Sequence, residues 1–263
     1  MGRVTPAVVL LVLASVSARA ADDSLARARA LYNQRQFQAA VSAAEQARQT
    51  PTQADAADLV AARAYLERYR ESSASDDLTN ARDRFRRLDP ARLPPRERVE
   101  YVVGLGETLF VDGAFGAAAA VFDSVLRGGD LLTGDARERV LDWWATATDR
   151  DTRPRPEIDR LGVYQRVRTR MENELAGHQS SAAAAYWMAA AAHAQGDLQA
   201  AWDAAQAGWV RAPLASDRGE ALRADLDLLV LRAIVPDRAK ATAQPPETVR
   251  LQWEQFKERW KRQ

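Results

Sequence analysis

The sequence predicts an all-α protein built from antiparallel helix pairs. Ala, Leu, Arg, Glu and Gln dominate its 263 residues, while alternating β-branched runs are scarce. Apolar residues recur at three- and four-residue spacings in short blocks, the mark of amphipathic helices. Between those blocks lie Gly, Pro and polar clusters that break helices. The length suits one large domain or a stack of repeated units.

Residues 1–20 read as a signal peptide rather than as structure. Arg3 supplies a short positive region. Ala7 to Val16 is an apolar core too short to span a bilayer, and Ala18-Arg19-Ala20 is a small-x-small cleavage site. The mature chain is therefore expected to start at Ala21 and to be periplasmic or secreted. After the leader is removed, no integral membrane segment is expected.

The mature chain, 21–149 and 157–263, reads as two sets of helical hairpins separated by a breaker. In the first hairpin, Ser24 is a candidate N-cap and Leu25, Ala28, Leu31 and Tyr32 share a face. Asn33 to Gln36 breaks the pattern. Phe37, Ala40, Val41, Ala44 and Ala47 follow on the next helix, and Pro51 closes the unit. A second hairpin runs from Asp55 to Leu88. Its stripes are Leu59, Ala62, Leu66, Tyr69 and then Leu78, Ala81, Phe85, Leu88, around a polar turn at Glu71 to Ser75. Asp76 and Asp77 suit the dipole of a helix start. The arginines of Arg82 to Arg87 alternate with Asp83 and Phe85 and read as a solvated helix face.

The clearest hairpin is Val102 to Leu126. After Gly128, Gly129 and Gly134, a helix over Asp135 to Asp149 carries Val140, Trp143, Trp144 and Ala147. Arg150 to Pro156, RDTRPRP, is the strongest breaker and the expected hinge between the halves. Ile158, Leu161, Tyr164, Val167, Met171 and Leu175 then mark a helix ending at Gly177. Ser181 to Pro213 forms an alanine-rich hairpin, with Trp187, Trp202 and Trp209 adding bulk. Gly219 to Val235 is bounded by Pro236. Pro245-Pro246 opens a last helix, 246–263, whose Val249, Trp253, Phe256 and Trp260 fall on one stripe. It is expected to cap the stack, with partner binding as the alternative.

Two of these hairpins carry a family resemblance. Val102-x2-Leu105-Gly106-x2-Leu109 followed by Ala118-x3-Phe122 resembles the tetratricopeptide repeat (TPR), with Gly113 at the turn and Phe115 opening the second helix. Ala185-x2-Met188-Ala189-x2-Ala192 and Ala201-x3-Ala205 keep the same spacing, with Gly196 and Leu198 at the matching offsets. Ala40-x3-Ala44 is a degenerate copy in which Arg35 replaces the turn glycine. The resemblance implies a right-handed superhelix, or solenoid, of helix pairs. It also implies that the first helix of each pair lines a concave groove for a protein or peptide. On the matching positions that groove is Arg29, Tyr32, Glu100, Val103, Glu107, Phe110, Tyr186, Ala190 and His193.

The residue inventory argues against the other function classes. Lys and Arg total 37 against 36 Asp and Glu, a formal charge of +1. Without Arg3 and Arg19 the count is 35 against 36, about −1. That balance offers no electrostatic reason to expect nucleic acid or anionic lipid. The absence of cysteine excludes disulfides, thiol nucleophiles, Cys-based zinc sites and the acylated cysteine of a lipoprotein. His178 and His193, the two histidines, are not in a HExxH spacing. Ser180 and Ser181 beside His178 lack a Gly-x-Ser-x-Gly elbow and an acid partner. Asp225 and Asp227 are two apart on a helix and face different ways. No catalytic, cofactor or metal set is expected. The expected function is an extracytoplasmic interaction scaffold in envelope assembly or a secretion complex. The alternative is an enzyme, or enzyme subunit, acting on cell-wall polymers, with the second-half tryptophans as a sugar-stacking surface.

Overall fold

A computed structural model describes residues 24–128, 131–132 and 134–261. The expected leader, residues 1–20, and Gly129 lie outside the described residues. The fold is all-α, with no strand among the described residues, and consecutive helices pack in pairs. The chain divides into two compact units after Leu132.

The first unit holds α1 (residues 24–33), α2 (Phe37–Ala47), α3 (Ala54–Ser72), α4 (Ser75–Arg87), α5 (Pro95–Val111) and α6 (Phe115–Arg127). Its hairpins share one turn. Arg35, Ser73 and Gly113 all take left-handed backbone, with φ of 60°, 57° and 76°. In the first and third hairpins the hydrogen bonds repeat as well. Arg35 and Gly113 donate to the carbonyls of Tyr32 and Phe110, and the next residues, Gln36 and Ala114, donate to Leu31 and Leu109. This is the Schellman pattern, which closes a helix on a residue of positive φ. The second turn is shorter than the sequence suggests. The helix runs through Glu71 to Ser72, and Ser73 and Ala74 alone make the connection.

Small residues set how closely the first unit packs. Ala28, Ala40, Ala62, Ala81 and Ala118 are fully buried. At Gly104 an added Cβ would come within 2.2 Å of the Phe85 ring, and at Gly106 within 2.6 Å of the Phe122 ring. The helices thus come close at Gly104 as well as at Gly106. The basic run of α4 is only partly solvated. Arg86 and Arg87 are exposed, but Arg84 turns inward. It donates to Asp58 at 2.8 Å and also reaches Glu45. Asp58, 3% exposed, has Arg48 as a second partner at 3.1 Å. A buried carboxylate needs such partners, and hydrophobic periodicity does not reveal them.

The second unit holds α7 (Gly134–Thr152), α8 (Glu157–Gly177), α9 (Ala182–Ala194), α10 (Leu198–Arg211), α11 (Glu220–Leu229), α12 (Val235–Thr242) and α13 (Pro246–Trp260). The RDTRPRP breaker lies inside this unit: Arg150, Asp151 and Thr152 end α7, and the remaining residues join α7 to α8. α7 continues past Asp149 because Asp149 and Thr152 are buried, at 7% and 1% exposure. Asp149 accepts from the Tyr164 hydroxyl at 2.9 Å and pairs with Arg153 at 2.7 Å, tying α7 to α8. The α9–α10 turn repeats the first unit's motif. Gly196 has φ 77° and donates to His193, while Asp197 donates to Ala192.

Facing alanines bring α9 and α10 together: Ala185, Ala189, Ala192, Ala201 and Ala205 are all buried. Trp202, Trp209 and Trp253 fill the space beside them, and Trp253 meets the other two rings edge-on at 5.8 and 5.6 Å. α13 places Val249, Trp253 and Phe256 in this core, with Trp260 packed at its margin. Each large side chain so buried contributes roughly 1.5–3 kcal/mol. Pro236 does not end its helix as the sequence suggests. Val230–Ile234 forms one widened π turn and the helix goes on to Thr242. Proline lacks an N–H and clashes with the preceding turn, and a wider turn accommodates both. Val230 and Ile234 keep that segment fixed by complete burial.

Candidate functional site

In the first unit, charged and aromatic side chains link the first helices α1, α3 and α5. Arg29 of α1 pairs with Glu97 of α5. Arg63 of α3 lies 4.4 Å from the Tyr32 ring centre and pairs with Glu100 of α5 at 2.5 Å. Tyr32 donates to Glu67 at 3.4 Å. Arg70 bridges Glu67 at 2.9 Å and Glu107 at 2.5 Å. Burial pulls the Arg63 guanidinium down, but Tyr32, Glu100 and Glu107 outweigh it and hold its pKa above the usual arginine value. Burial likewise opposes Arg70, and Glu107 and Glu67 likewise prevail.

The anticipated Arg29, Tyr32, Glu100 and Glu107 therefore share one face. The partners that join them, Arg63, Glu67, Arg70 and Glu97, were not anticipated. Arg63, Glu67 and Arg70 recur at four and three residues, a one-face spacing visible in the sequence. They escape notice because the TPR pattern is weakest in that hairpin. Glu100 and Glu107 already carry arginine partners. Val103 is half-buried on α5. Phe110 meets the Phe115 ring at 5.3 Å, edge-on, across the α5–α6 turn. Tyr32 and Phe37 make a tilted ring contact at 5.7 Å at the same place, across the α1–α2 turn. Phe110 thus serves its own hairpin, as the first half of an aromatic clasp over the left-handed residue.

In the second unit, α7, α9 and α11 form the corresponding layer. Trp187 donates its indole N–H to Asp142 of α7 at 2.9 Å, and the backbone N–H of Ala183 donates to Glu138 at 3.1 Å. Tyr186 of α9 is half-buried. Burial pushes its phenol up, and Asp225, Asp142 and Asp149 add to the shift while Arg153 opposes it. Burial and the Asp142 charge raise the Asp225 carboxyl. The two carboxylates thus lie near Tyr186 with their charges in mutual conflict. Asp227, two residues on, points elsewhere: it accepts from Trp253 at 2.6 Å and from Lys257 at 2.8 Å. Ala190 is half-buried, and His193 bonds Asp237 of α12 through Nε2 at 2.8 Å. Asp142 and Asp225 are the additions here. A hydrophobic stripe does not show which acids converge across helices.

Other chemistry gains no support from the geometry. Trp187, Trp202 and Trp209 are 8%, 6% and 7% exposed, so the tryptophans suggested for sugar stacking are core residues. Among the described residues, no three or more His, Asp or Glu side chains are placed to hold a metal ion. His178 bonds Glu174 through Nδ1 at 3.0 Å, and Arg137 also holds that carboxylate. No described helix is long and apolar enough to cross a membrane. No family model, curated protein or solved structure matches the chain.

Proposed function

We propose that this protein is an extracytoplasmic, TPR-like scaffold that binds a protein or peptide on its first-helix faces. The observation that carries the reading is the repeated turn. Arg35, Gly113 and Gly196 hold the same left-handed, doubly hydrogen-bonded position in three hairpins. A turn repeated in this way builds each hairpin alike, and within each unit first helices pack beside one another, as in binding solenoids. A right-handed superhelix, export with cleavage after Ala20, and a role in envelope assembly or a secretion complex belong to the same proposal. Nucleic acid is not among the proposed ligands.

The α7–α9–α11 face is the better anchor surface of the two. The first unit's acids carry arginine partners, whereas beside Tyr186 Asp142 accepts only from the neutral Trp187 indole among its described bonds, and Asp225 is raised by burial and then by repulsion from Asp142. An incoming lysine or arginine would relieve that repulsion, and an aromatic residue beside it is a typical hot-spot composition. Partner capture after cross-linking in envelope extract tests the reading. Tyr186→Ala and Asp225→Lys are each expected to reduce capture at least about tenfold, on the order of 1.4 kcal/mol. Arg166→Glu, exposed on α8, is expected to leave capture unchanged. Equal capture by all three variants, or glycan turnover by the purified protein, would reverse the assignment.

A further inference from the structure

Arg223 of α11 has a carboxylate at either helical spacing on its own helix, Glu220 three residues before it and Asp227 four after. Among the described residues it pairs with no carboxylate, these two included. Asp227 accepts instead from Trp253 at 2.6 Å and from Lys257 at 2.8 and 3.0 Å, and Lys257 also holds Glu254 at 2.9 Å. The Arg223 guanidinium lies on the indole of Trp209, its carbon 5.3 Å from the ring centre. Its Nε–H is enclosed without an acceptor. The indole N–H of Trp209, a residue 7% exposed, is enclosed without one as well. Two stacked side chains thus present donors and meet no acceptor. A partly buried charge is ordinarily paired, as Arg84 is with Asp58 and Arg137 with Glu174. Arg223 as a whole is partly exposed, so a ligand reaches its outer N–H groups from solvent.

We propose that Arg223, stacked on Trp209, is a receptor for a peptide carboxylate. The indole takes the face of the guanidinium, which leaves the N–H donors in its plane to be met edge-on. Parallel N–H groups of one arginine match the two oxygens of a carboxylate. Stacking holds the guanidinium in place beforehand, which lowers the ordering cost of binding. Lys257 lies 5.4 Å from the same indole and adds positive charge, but its hydrogen bonds are committed to Asp227 and Glu254. The charge left over is that of Arg223, and it matches the single charge of a carboxylate rather than the two of a phosphate. Arg223 and Asp225 are two apart on α11 and face different ways. The carboxylate site is therefore distinct from the Tyr186 face and stands without the partner reading given above.

Nitrogen-resolved NMR of the full chain tests this. The Trp209 indole N–H and the Arg223 Nε–H are assigned from the peaks lost in Trp209→Phe and Arg223→Lys. Acetyl-trialanine with a free C-terminal carboxylate is then titrated at fixed ionic strength, beside acetyl-Ala-Glu-Ala-amide and acetyl-trialanine amide. At least one carboxylate peptide is expected to shift both peaks saturably, and the neutral amide to shift neither. A response to the first peptide alone assigns a chain terminus, and a response to the second assigns an acidic side chain. Arg223→Gln should weaken binding at least about tenfold with unchanged helical circular dichroism. Arg223→Lys, which keeps the charge and loses the planar fork, should weaken it too, as read from the Trp209 peak. Absence of a saturable shift with either carboxylate peptide would overturn the proposal. So would an undiminished Trp209 response in Arg223→Gln, or a shift by sodium phosphate at the same ionic strength as large as that of the peptides.

Discussion

Gly113 and Arg35 occupy the same backbone position in two hairpins, one with a residue suited to it and one without. No atom lies within 4 Å of a Cβ added at Gly113, so its conformation alone decides the effect of substitution. Left-handed backbone costs a non-glycine residue about 1–2 kcal/mol. Gly113→Ala is expected to lower stability by about that much. Arg35→Gly should raise it by about 0.5–1 kcal/mol, since the exposed Arg35–Glu71 pair it removes contributes little. Urea midpoints check both signs. Glu174 supplies a pH test. Burial raises its carboxyl, but Arg137, bonded to both oxygens at 2.6 and 2.8 Å, outweighs burial and lowers the pKa below 4.5. A depressed carboxyl pKa contributes stability above its unfolded value, and that contribution is lost as pH falls through the folded value. Unfolding midpoints should therefore decline below about pH 4.5 less steeply in Glu174→Gln than in wild type. At neutral pH the same variant should be less stable, because the charge pair with half-buried Arg137 is lost. The turn position was legible at the residue scale because glycine marks it twice. The inward path of Arg84 was not, because a helical face shows where a side chain starts and not which acid it meets.

Helix existence was largely legible, and helix ends were less so. The stripe Val249, Trp253, Phe256 and Trp260 identified the buried side of α13, and those side chains lie in or against the core. Three ends moved for reasons beyond local sequence. Buried Asp149 and Thr152 carry α7 past the arginine-rich segment, the α3–α4 turn shortens onto Ser73, and a π turn carries the chain through Pro236. In α7 and at Pro236 burial overrides the local break signal, whereas the exposed α3–α4 turn closes on the left-handed Ser73. Trp253 is fully buried between Trp202, Trp209 and Phe256. Trp253→Ala is expected to cost about 3–5 kcal/mol. Leu251→Ala, on the exposed side of the same helix at 56% exposure, should stay within about 0.5 kcal/mol. Comparable losses for the two variants in thermal or urea unfolding would contradict the assigned face of α13.

At the scale of the whole molecule, the repeat is longer than the motif that first suggests it. The left-handed residues at 35, 73 and 113 are spaced 38 and 40 residues apart, against about 34 in a TPR. The extra length lies in first helices such as α3 and α5, of 19 and 17 residues. This is why the sequence displays two clear copies without an exact period. It also explains why candidate face residues were legible only on the copies that match. The unmatched α3 and α7 supply Arg63, Arg70 and Asp142, which complete the two faces. Site-specific photo-cross-linking in living cells tests the central proposal, partner binding on the first helices, most directly. A photoreactive residue would be placed in turn at Tyr186, Ala190 and Asp225 on the first-helix face, and at Arg86, Arg166 and Gln199 on exposed sites of second helices. The account predicts one discrete cross-linked partner from the first three positions and none from the others. The same partner captured only from the second-helix positions would contradict it.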